Sequence, residues 1–495
     1  MACLRLQHGG CCSGPTSTAT RLRTSRTPPP GAGGAVVDLA LTAFVLGLLG
    51  LGLRRPFIWV MAYLYIDIVA PQKISWFLLS SVPVSLIVFL AAFGGWIAAD
   101  SKEGSRFTLR QGLIVLLMAY CGYTTLGADF PIDAANKWSW VWKALLFAIF
   151  LPLTLRTRLR IEATALVMVL SAATIIIPAG IKTSLGGGGY GSLHLLVNDN
   201  TGLYEGSILS CVAIAIIPLI VWLAKHGTVF PGDWRARVFA FALGFACLLI
   251  PIGTQARTGL VCIAVLVMLS LRNVKRRFLY VSLIGAVGLL AIPFLPQSFT
   301  ERMETIENHQ ADESASTRIA VWKWTWEYVQ DHPLGGGFDA YRGNEIRYQT
   351  REKESSGSTV AIESETVVDA ARAYHSSYFE MLGEQGWPGF ILWSWLQLLG
   401  LWQMERLRRR WRNRTGEGER WQAPLASALQ NAQAIYLVGS LFVGIAYQPF
   451  VLMLIGLQCG LWGYLQRVEA RREPVRSIRK RPRPLAPAPA PDALA

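Results

Sequence analysis

Apolar residues along this chain fall in long blocks, and short polar or basic stretches separate the blocks. Runs such as Phe77 to Ala99, Gly206 to Ala224 and Phe278 to Leu295 approach or exceed the roughly 20 apolar residues with which one helix crosses the hydrocarbon core of a bilayer. Lipid offers the backbone no hydrogen-bond partners, so each block has to satisfy its own amides as a helix. Period-2 alternation broken by turns, the mark of a membrane barrel, is not seen. The pattern predicts spans near residues 37–52, 56–70, 77–99, 111–127, 138–154, 161–179, 203–223, 238–253, 258–271, 278–295, 388–404, 430–447 and 449–466. The expected fold is therefore all-α, a polytopic transmembrane helix bundle of about 12–13 spans.

Two stretches interrupt the blocks: a glycine-rich one from Gly180 to Thr201 and a polar one from Pro296 to about Trp387. A connection as long as the second is far beyond an ordinary loop and needs a purpose. It has helical patterns of its own and an acidic excess that includes Glu301, Glu304, Glu307, Asp312 and Glu313. The chain is expected to divide into an N-terminal arm at 1–35, a transmembrane bundle at 36–295, a large helical loop at 296–387, C-terminal spans at 388–466 and a basic, Pro/Ala-rich tail at 467–495. The arm lacks the apolar stretch a secretory signal requires, and is expected to be disordered or the product of an upstream start codon.

Composition agrees with a bilayer as solvent: 52% of the 495 residues are hydrophobic and 16% charged, with a mean hydropathy of +0.35. The net charge of +15 could suggest nucleic acid, but the basic residues sit in short clusters between apolar blocks, as the positive-inside bias predicts. The clusters are Arg54 and Arg55, Lys102 to Arg110, Arg156 to Arg160, Arg235 and Arg237, Arg272 to Arg277, Arg406 to Arg414 and the tail. With the tail in the cytoplasm, every cluster from Arg54 to Arg414 falls on the cytoplasmic side, and the 296–387 loop falls outside. Arg21, Arg23 and Arg26 would then also lie outside, so either the arm is absent from the mature protein or the first two runs are not both full spans. Cys121, Cys211, Cys247, Cys262 and Cys459 fall within apolar runs and read as small buried hydrophobes.

Ser316 to Asp331 reads as a helix capped by Ser316 or Thr317 and ended before Pro333. Lys323, Glu327 and Gln330 share one face, and Arg318 shares another with Trp322, Thr325 and Val329. A first-turn arginine beside free backbone amides suits a phosphate, while the alternative is a structural ion pair. His375 lies in a second helical pattern, Ala370 to Gly383, with Ala371, Tyr378, Phe379 and Leu382 on its face. It is either a packed core histidine or a general base at the membrane's outer surface. Arg257, at the outer mouth of a span, either faces a cavity or snorkels to headgroups. Asp67, within the second span, and Asp199 and Asn200, at the entrance to the seventh, are weaker candidates, and Asp199 could equally cap a helix. Trp322 and Arg372 are further candidates for substrate binding. No phosphate loop, His-Glu-x-x-His or Cys-x-x-Cys pattern occurs, so nothing demands a metal or an organic cofactor.

Three stretches of the long loop resemble the O-antigen ligase and polymerase superfamily: Thr317-Arg-Ile-Ala-Val-Trp-Lys-Trp-Thr-Trp-Glu327, His332-Pro-Leu-Gly-Gly-Gly-Phe338, and Ala373-Tyr-His-Ser-Ser-Tyr-Phe-Glu-Met-Leu-Gly-Glu-Gln-Gly-Trp-Pro-Gly389. More narrowly they resemble exosortase-A-associated O-glycosylation ligases, as does the run Leu39 to Ile74. The resemblance implies a multi-pass protein of a bacterial inner membrane, active on the periplasmic face. The implied reaction is metal-independent inverting transfer of a glycan from an undecaprenyl diphosphate donor to a hydroxyl on a protein, lipid or polysaccharide acceptor. It implies His375 as general base and Arg257 and Arg318 as holders of the diphosphate. Ser376 departs from the Asn that many ligases carry after the histidine, which puts acceptor choice in doubt. The alternatives are a polysaccharide polymerase using the same donor and, in another class, a transporter or flippase.

Overall fold

The computed structural model describes residues 31–75, 77–185, 203–230, 232–272, 274–276, 278–279, 282–283, 285–286, 313–356, 359–414, 416 and 418–471. Among the described residues, the helices ahead of the long loop include α1 (Gly31–Arg54), α2 (Phe57–Val69), the short α3 (Pro71–Ile74), α4 (Val84–Ala99), α5 (Leu109–Leu126), α6 (Pro131–Thr154), α7 (Arg158–Leu185), α8 (Gly206–His226), α9 (Trp234–Gly253) and α10 (Arg257–Leu271). The loop contributes α11 (Glu313–Asp331) and an antiparallel ribbon of β1 (Glu345–Ser356) and β2 (Thr359–Ala370). The chain closes with α12 (Ser377–Trp411), α13 (Gln422–Gly439) and α14 (Pro449–Ala470).

The protein is an all-α, multi-pass membrane protein, and the ribbon is its one sheet among the described residues. Among the described residues, five helices are long and apolar enough to cross a bilayer: 35–54 of α1, then α7, α8, α9 and α14. α8 and α14 are largely enclosed by other helices, whereas α1 and α9 present most of their apolar surface outward. Outward-facing Phe241 and Phe245, 79% and 54% exposed, are stable only with lipid against them. At the centre, α14 packs on α6, α13 on α8 and on α12, and α12 on α5.

The basic clusters meet at one end of the bundle. Arg156 and Arg160 pair with Asp100 at 3.0 and 2.6 Å, Arg272 with Glu405 at 2.8 Å and Arg410 with Glu469 at 2.7 Å. Arg467 donates to the carbonyl of Gly104 at 2.7 Å, and Arg158 to that of His226 at 2.9 Å. The long loop belongs to the opposite end. All five described non-glycine residues with positive φ are at that opposite end: Ala70, Gln255, Asp339, Ala371 and His375, at 48 to 59°. Such backbone strain needs surroundings that over-determine it, and it concentrates at working sites.

Four expectations are corrected. The predicted 77–99 span is helical only from Val84, because Pro83 blocks extension of the helix backwards. The predicted 430–447 span is α13, which ends at Gly439, and 440–448 is irregular. Its exposed amides are met by side chains: Ser377 Oγ accepts from Ile445 N at 2.9 Å, Glu380 Oε2 accepts from Ala446 N at 3.0 Å, and Tyr436 donates to Ile445 O at 2.9 Å. The long loop is not wholly helical, since residues 345–370 form the ribbon. Finally, the helix expected to end at Gly383 begins only at Ser377 and runs on to Trp411 through a kink at Gly386, whose φ is 58° and ψ −165°.

That kink frees two carbonyls, and the His332 to Gly337 turn satisfies both. Pro388 has no N–H for Glu384 O, so Gly337 N donates there at 2.9 Å; Trp387 N turns to Pro333 O at 3.0 Å, and Gly336 N takes Gly383 O at 3.1 Å. Only glycine permits this approach, because a Cβ on Gly386 would stand 2.2 Å from Pro333 O and one on Gly335 2.4 Å from Gly386 N. The five described cysteines are buried and free, as expected of small apolar fillers. Most of the predicted 278–295 span, most of the arm and most of the tail lie outside the described residues.

Candidate active site

At the end of the bundle away from the basic clusters lies a cavity of about 670 Å³, within the roughly 300–1,000 Å³ usual for small-molecule sites. Its walls come from the start of α6 (Asp133, Lys137, Trp140), the start of α8 (Glu205, Ser207), Arg318 of α11, the Asp339 to Arg342 turn, Ala373 to His375, Glu380 and Glu384 of α12, and the 442–448 segment. Residues remote in sequence thus share one chamber.

His375 does not sit on a helix, contrary to expectation. The strand β2 ends at Ala370, and residues 371–376 form a non-helical link to α12. Asn344, fully buried, fixes the start of this link: its amide donates to Arg372 O at 2.7 Å, its Oδ1 accepts from Arg372 N at 2.9 Å, and its carbonyl accepts from Ala371 N at 2.9 Å. Trp322 fixes the middle, donating from Nε1 to Tyr374 O at 2.9 Å while its ring stacks on Phe379 at 5.1 Å. Ser377 fixes the far end through Ser440 O at 2.8 Å and Val443 O at 2.9 Å. Between these anchors His375 takes φ 48° and opens onto the cavity.

Loss of surrounding water holds the His375 imidazole below its usual value, and the positive charge of Arg318 adds to this. Glu205 pulls it upward, and Arg372 reinforces Arg318. The ring is therefore mostly neutral near pH 7, the state in which it accepts a proton. Arg318 lines the same cavity and shares a helix face with Trp322, Thr325 and Val329, while Lys323 and Glu327 point to solvent at 78% and 65% exposure. It stands in the second turn of α11, not the first, because the helix begins at Glu313, ahead of Ser316 and Thr317. Free helix-terminal amides therefore do not assist Arg318, and its guanidinium is what it brings to an anion.

Arg257 opens α10 at the same end of the bundle. The adjoining Thr254 bonds Ser210 of α8 at 2.8 Å, one turn from the cavity-lining Ser207, but Arg257 itself is not in the described lining. Trp322 and Arg372 are not in it either. Trp322 packs behind Tyr374, and Arg372 donates to Asp369 Oδ2 from Nε at 2.6 Å. Asp67 sits among Tyr63, Ser85 and Lys143, away from the cavity. Asp199 and Asn200 lie outside the described residues.

Sequence reasoning overlooked the floor of the cavity. Lys137 Nζ lies 2.9 Å from Glu380 Oε1, 2.8 Å from Glu384 Oε1 and 3.6 Å from Asp339 Oδ1. Glu384 Oε1 also accepts from Asp339 N at 3.0 Å. Glu384 precedes the Gly386 kink and is fully buried, and burial outweighs Lys137 to push its carboxyl up to about 8. One signal was available: two glutamates four apart on one helix face repel each other unless a cation stands between them.

Residues 239–394 match the O-antigen ligase family, and residues 36–228 match a family of unknown function (DUF5935). No curated protein matches the chain. The first match holds Arg257, Arg318, Asp339, His375, Glu380 and Glu384, and the second holds Lys137, Trp140 and Glu205, so the cavity is assembled across both. The likeness to the O-antigen ligase family thus spans about a third of the chain, from α9 into α12.

Proposed function

We propose that this protein moves a glycan from undecaprenyl diphosphate to an acceptor hydroxyl at the periplasmic face of a bacterial inner membrane. The observation that carries the reading is one cavity, opposite the basic end, on which a neutral-leaning imidazole and a guanidinium converge from separate elements. His375 accepts the proton of the acceptor hydroxyl as that oxygen attacks the anomeric carbon of the donor sugar. The bond from that carbon to the phosphate oxygen breaks, the electron pair leaves with the lipid diphosphate, and the configuration inverts. Arg318 holds the leaving group, whose growing negative charge a preorganised cation stabilises better than water does. Arg257, which opens α10 at the same end, is the second arginine of the proposal and holds the diphosphate from outside the lining. No step needs a metal.

The basic end is the cytoplasmic one by the positive-inside bias, and the cavity then faces the periplasm. The narrower likeness to exosortase-associated ligases favours a protein acceptor. Mass spectrometry of exported proteins and surface polysaccharide from a deletion strain decides this, since a polymerase would change chain length and leave protein glycans intact. The mechanism is tested with His375→Ala and Arg318→Ala in reconstituted membranes. Both variants are expected to insert normally and lose transfer by about a hundredfold or more. Near wild-type transfer by either variant removes that residue from the reaction.

A further inference from the structure

The floor of the cavity carries charge and hydrogen-bonding capacity that the transfer step does not use. The described lining has five carboxyl groups against three fixed cations, and burial favours the protonated form of one of the five, Glu384. Arg342 lies 3.1 Å from Asp133, and Lys137 is shared by Glu380, Glu384 and Asp339. A diphosphate brought to this floor would meet surplus negative charge, so it belongs on the Arg318 side.

Something else belongs on the floor. Glu384 is fully buried; its Oε1 bonds Lys137 and Asp339, while its Oε2 has no partner. Tyr374, 3% exposed, lines the same cavity, and its hydroxyl has no partner. Buried polar atoms in native proteins are nearly always bonded, so two along one cavity wall mark a place where a ligand completes the bonding. Carboxylate and phenol oxygens suit a ligand rich in hydroxyls, and the half-buried rings of Trp140 and Tyr341 on the same walls give flat apolar surface. A pyranose ring has both features.

We propose that this floor, built on Lys137, Glu380, Glu384, Tyr374 and Trp140, is the subsite for the first sugar of the diphosphate-linked glycan, and that it takes a ring bearing hydroxyls alone in preference to one bearing a carboxylate. The proposal rests on the donor reading above and adds the class of sugar. A uronic acid would set its carboxylate against Glu380 and Asp339, whose shared cation Lys137 is already surrounded, and like charges in a partly dehydrated site repel strongly. A neutral ring leaves every group bonded.

The test uses the full chain in lipid nanodiscs and three synthetic probes: farnesyl diphosphate, farnesyl diphosphoglucose and farnesyl diphosphoglucuronic acid. Dissociation constants are measured by native mass spectrometry. The glucose probe should bind about tenfold tighter than the other two, as one or two well-placed hydrogen bonds imply. In Glu384→Gln and in Tyr374→Phe the advantage of the glucose probe over farnesyl diphosphate should fall toward one. Equal or tighter binding of the glucuronate probe overturns the proposal, as does a wild-type ratio in both variants. Tyr374→Phe removes a single oxygen from a packed ring and carries the test alone if Glu384→Gln fails to assemble. The donor reading has its own arm: farnesyl diphosphate should bind and weaken in Arg318→Ala. Failure there sinks the donor reading, whereas a sound diphosphate arm with no sugar preference sinks only the subsite.

Discussion

The conformation of His375 depends on a few bonds, and Trp322→Phe tests that dependence. A non-glycine residue at φ 48° bears about 1–2 kcal/mol of strain relative to ordinary backbone. The bond from Trp322 Nε1 to Tyr374 O, 2.9 Å long, holds the preceding peptide and contributes about 1 kcal/mol, and more if the carbonyl is left without a partner. The two quantities are of one size, so removing the bond lets the strain compete. Phenylalanine keeps an aromatic ring to stack on Phe379 but has no donor. A shift of about 1–2 kcal/mol changes a two-state population by roughly 5- to 30-fold, and kcat should fall by a factor in that range. Transfer kinetics in proteoliposomes measure the effect, with thermal melting in the same membranes as the structural control. Unchanged kcat beside a lowered melting temperature would refute the reasoning, since Trp322 would then stabilise the loop without positioning the imidazole.

Two other outcomes follow from the same geometry. Because only neutral His375 takes up the acceptor's proton, kcat/KM should rise with pH through a midpoint below the ordinary imidazole value. Arg372→Gln removes a positive neighbour that disfavours the imidazolium and should move the midpoint up, while Glu205→Gln removes a negative one and should move it down. Shifts of both in the same direction would contradict the assignment. Gly386→Ala places a Cβ 2.2 Å from Pro333 O at a φ of 58°, so the turn under the cavity cannot dock. Pulldown of membrane-inserted protein should show misassembly or heightened proteolysis between α11 and α12, and a normally resistant variant would count against the docked-turn account.

Much of the bundle could be read from local pattern. Apolar block length fixed where most helices lie, and clustered arginines anticipated that residues near Asp100, Arg156, Glu405 and Arg467 would gather at one end. The solvent face of α11, with Lys323 and Glu327, followed from a period of 3.6. Pattern failed where the backbone leaves regular structure. The link carrying His375 looked helical because Tyr378, Phe379 and Leu382 do lie on a helix, one that begins two residues later. The ribbon was missed although Ile346 and Tyr348 alternate with the polar Glu345, Arg347 and Gln349.

The sequence by itself determined a membrane bundle with segregated charge, and it singled out His375 and Arg318, because hydropathy, charge and a rare titratable group are properties of a residue and its near neighbours. Only the tertiary structure decided that Lys137 stands between Glu380 and Glu384, that Arg257 stops short of the cavity lining, and that residues 440–448 unwind to line the site. Those outcomes depend on pairings across hundreds of residues and on which buried amides and carboxylates find partners. No periodicity along a chain encodes them, since they are set by how helices stack in lipid and by the high free energy of an unpaired buried polar group.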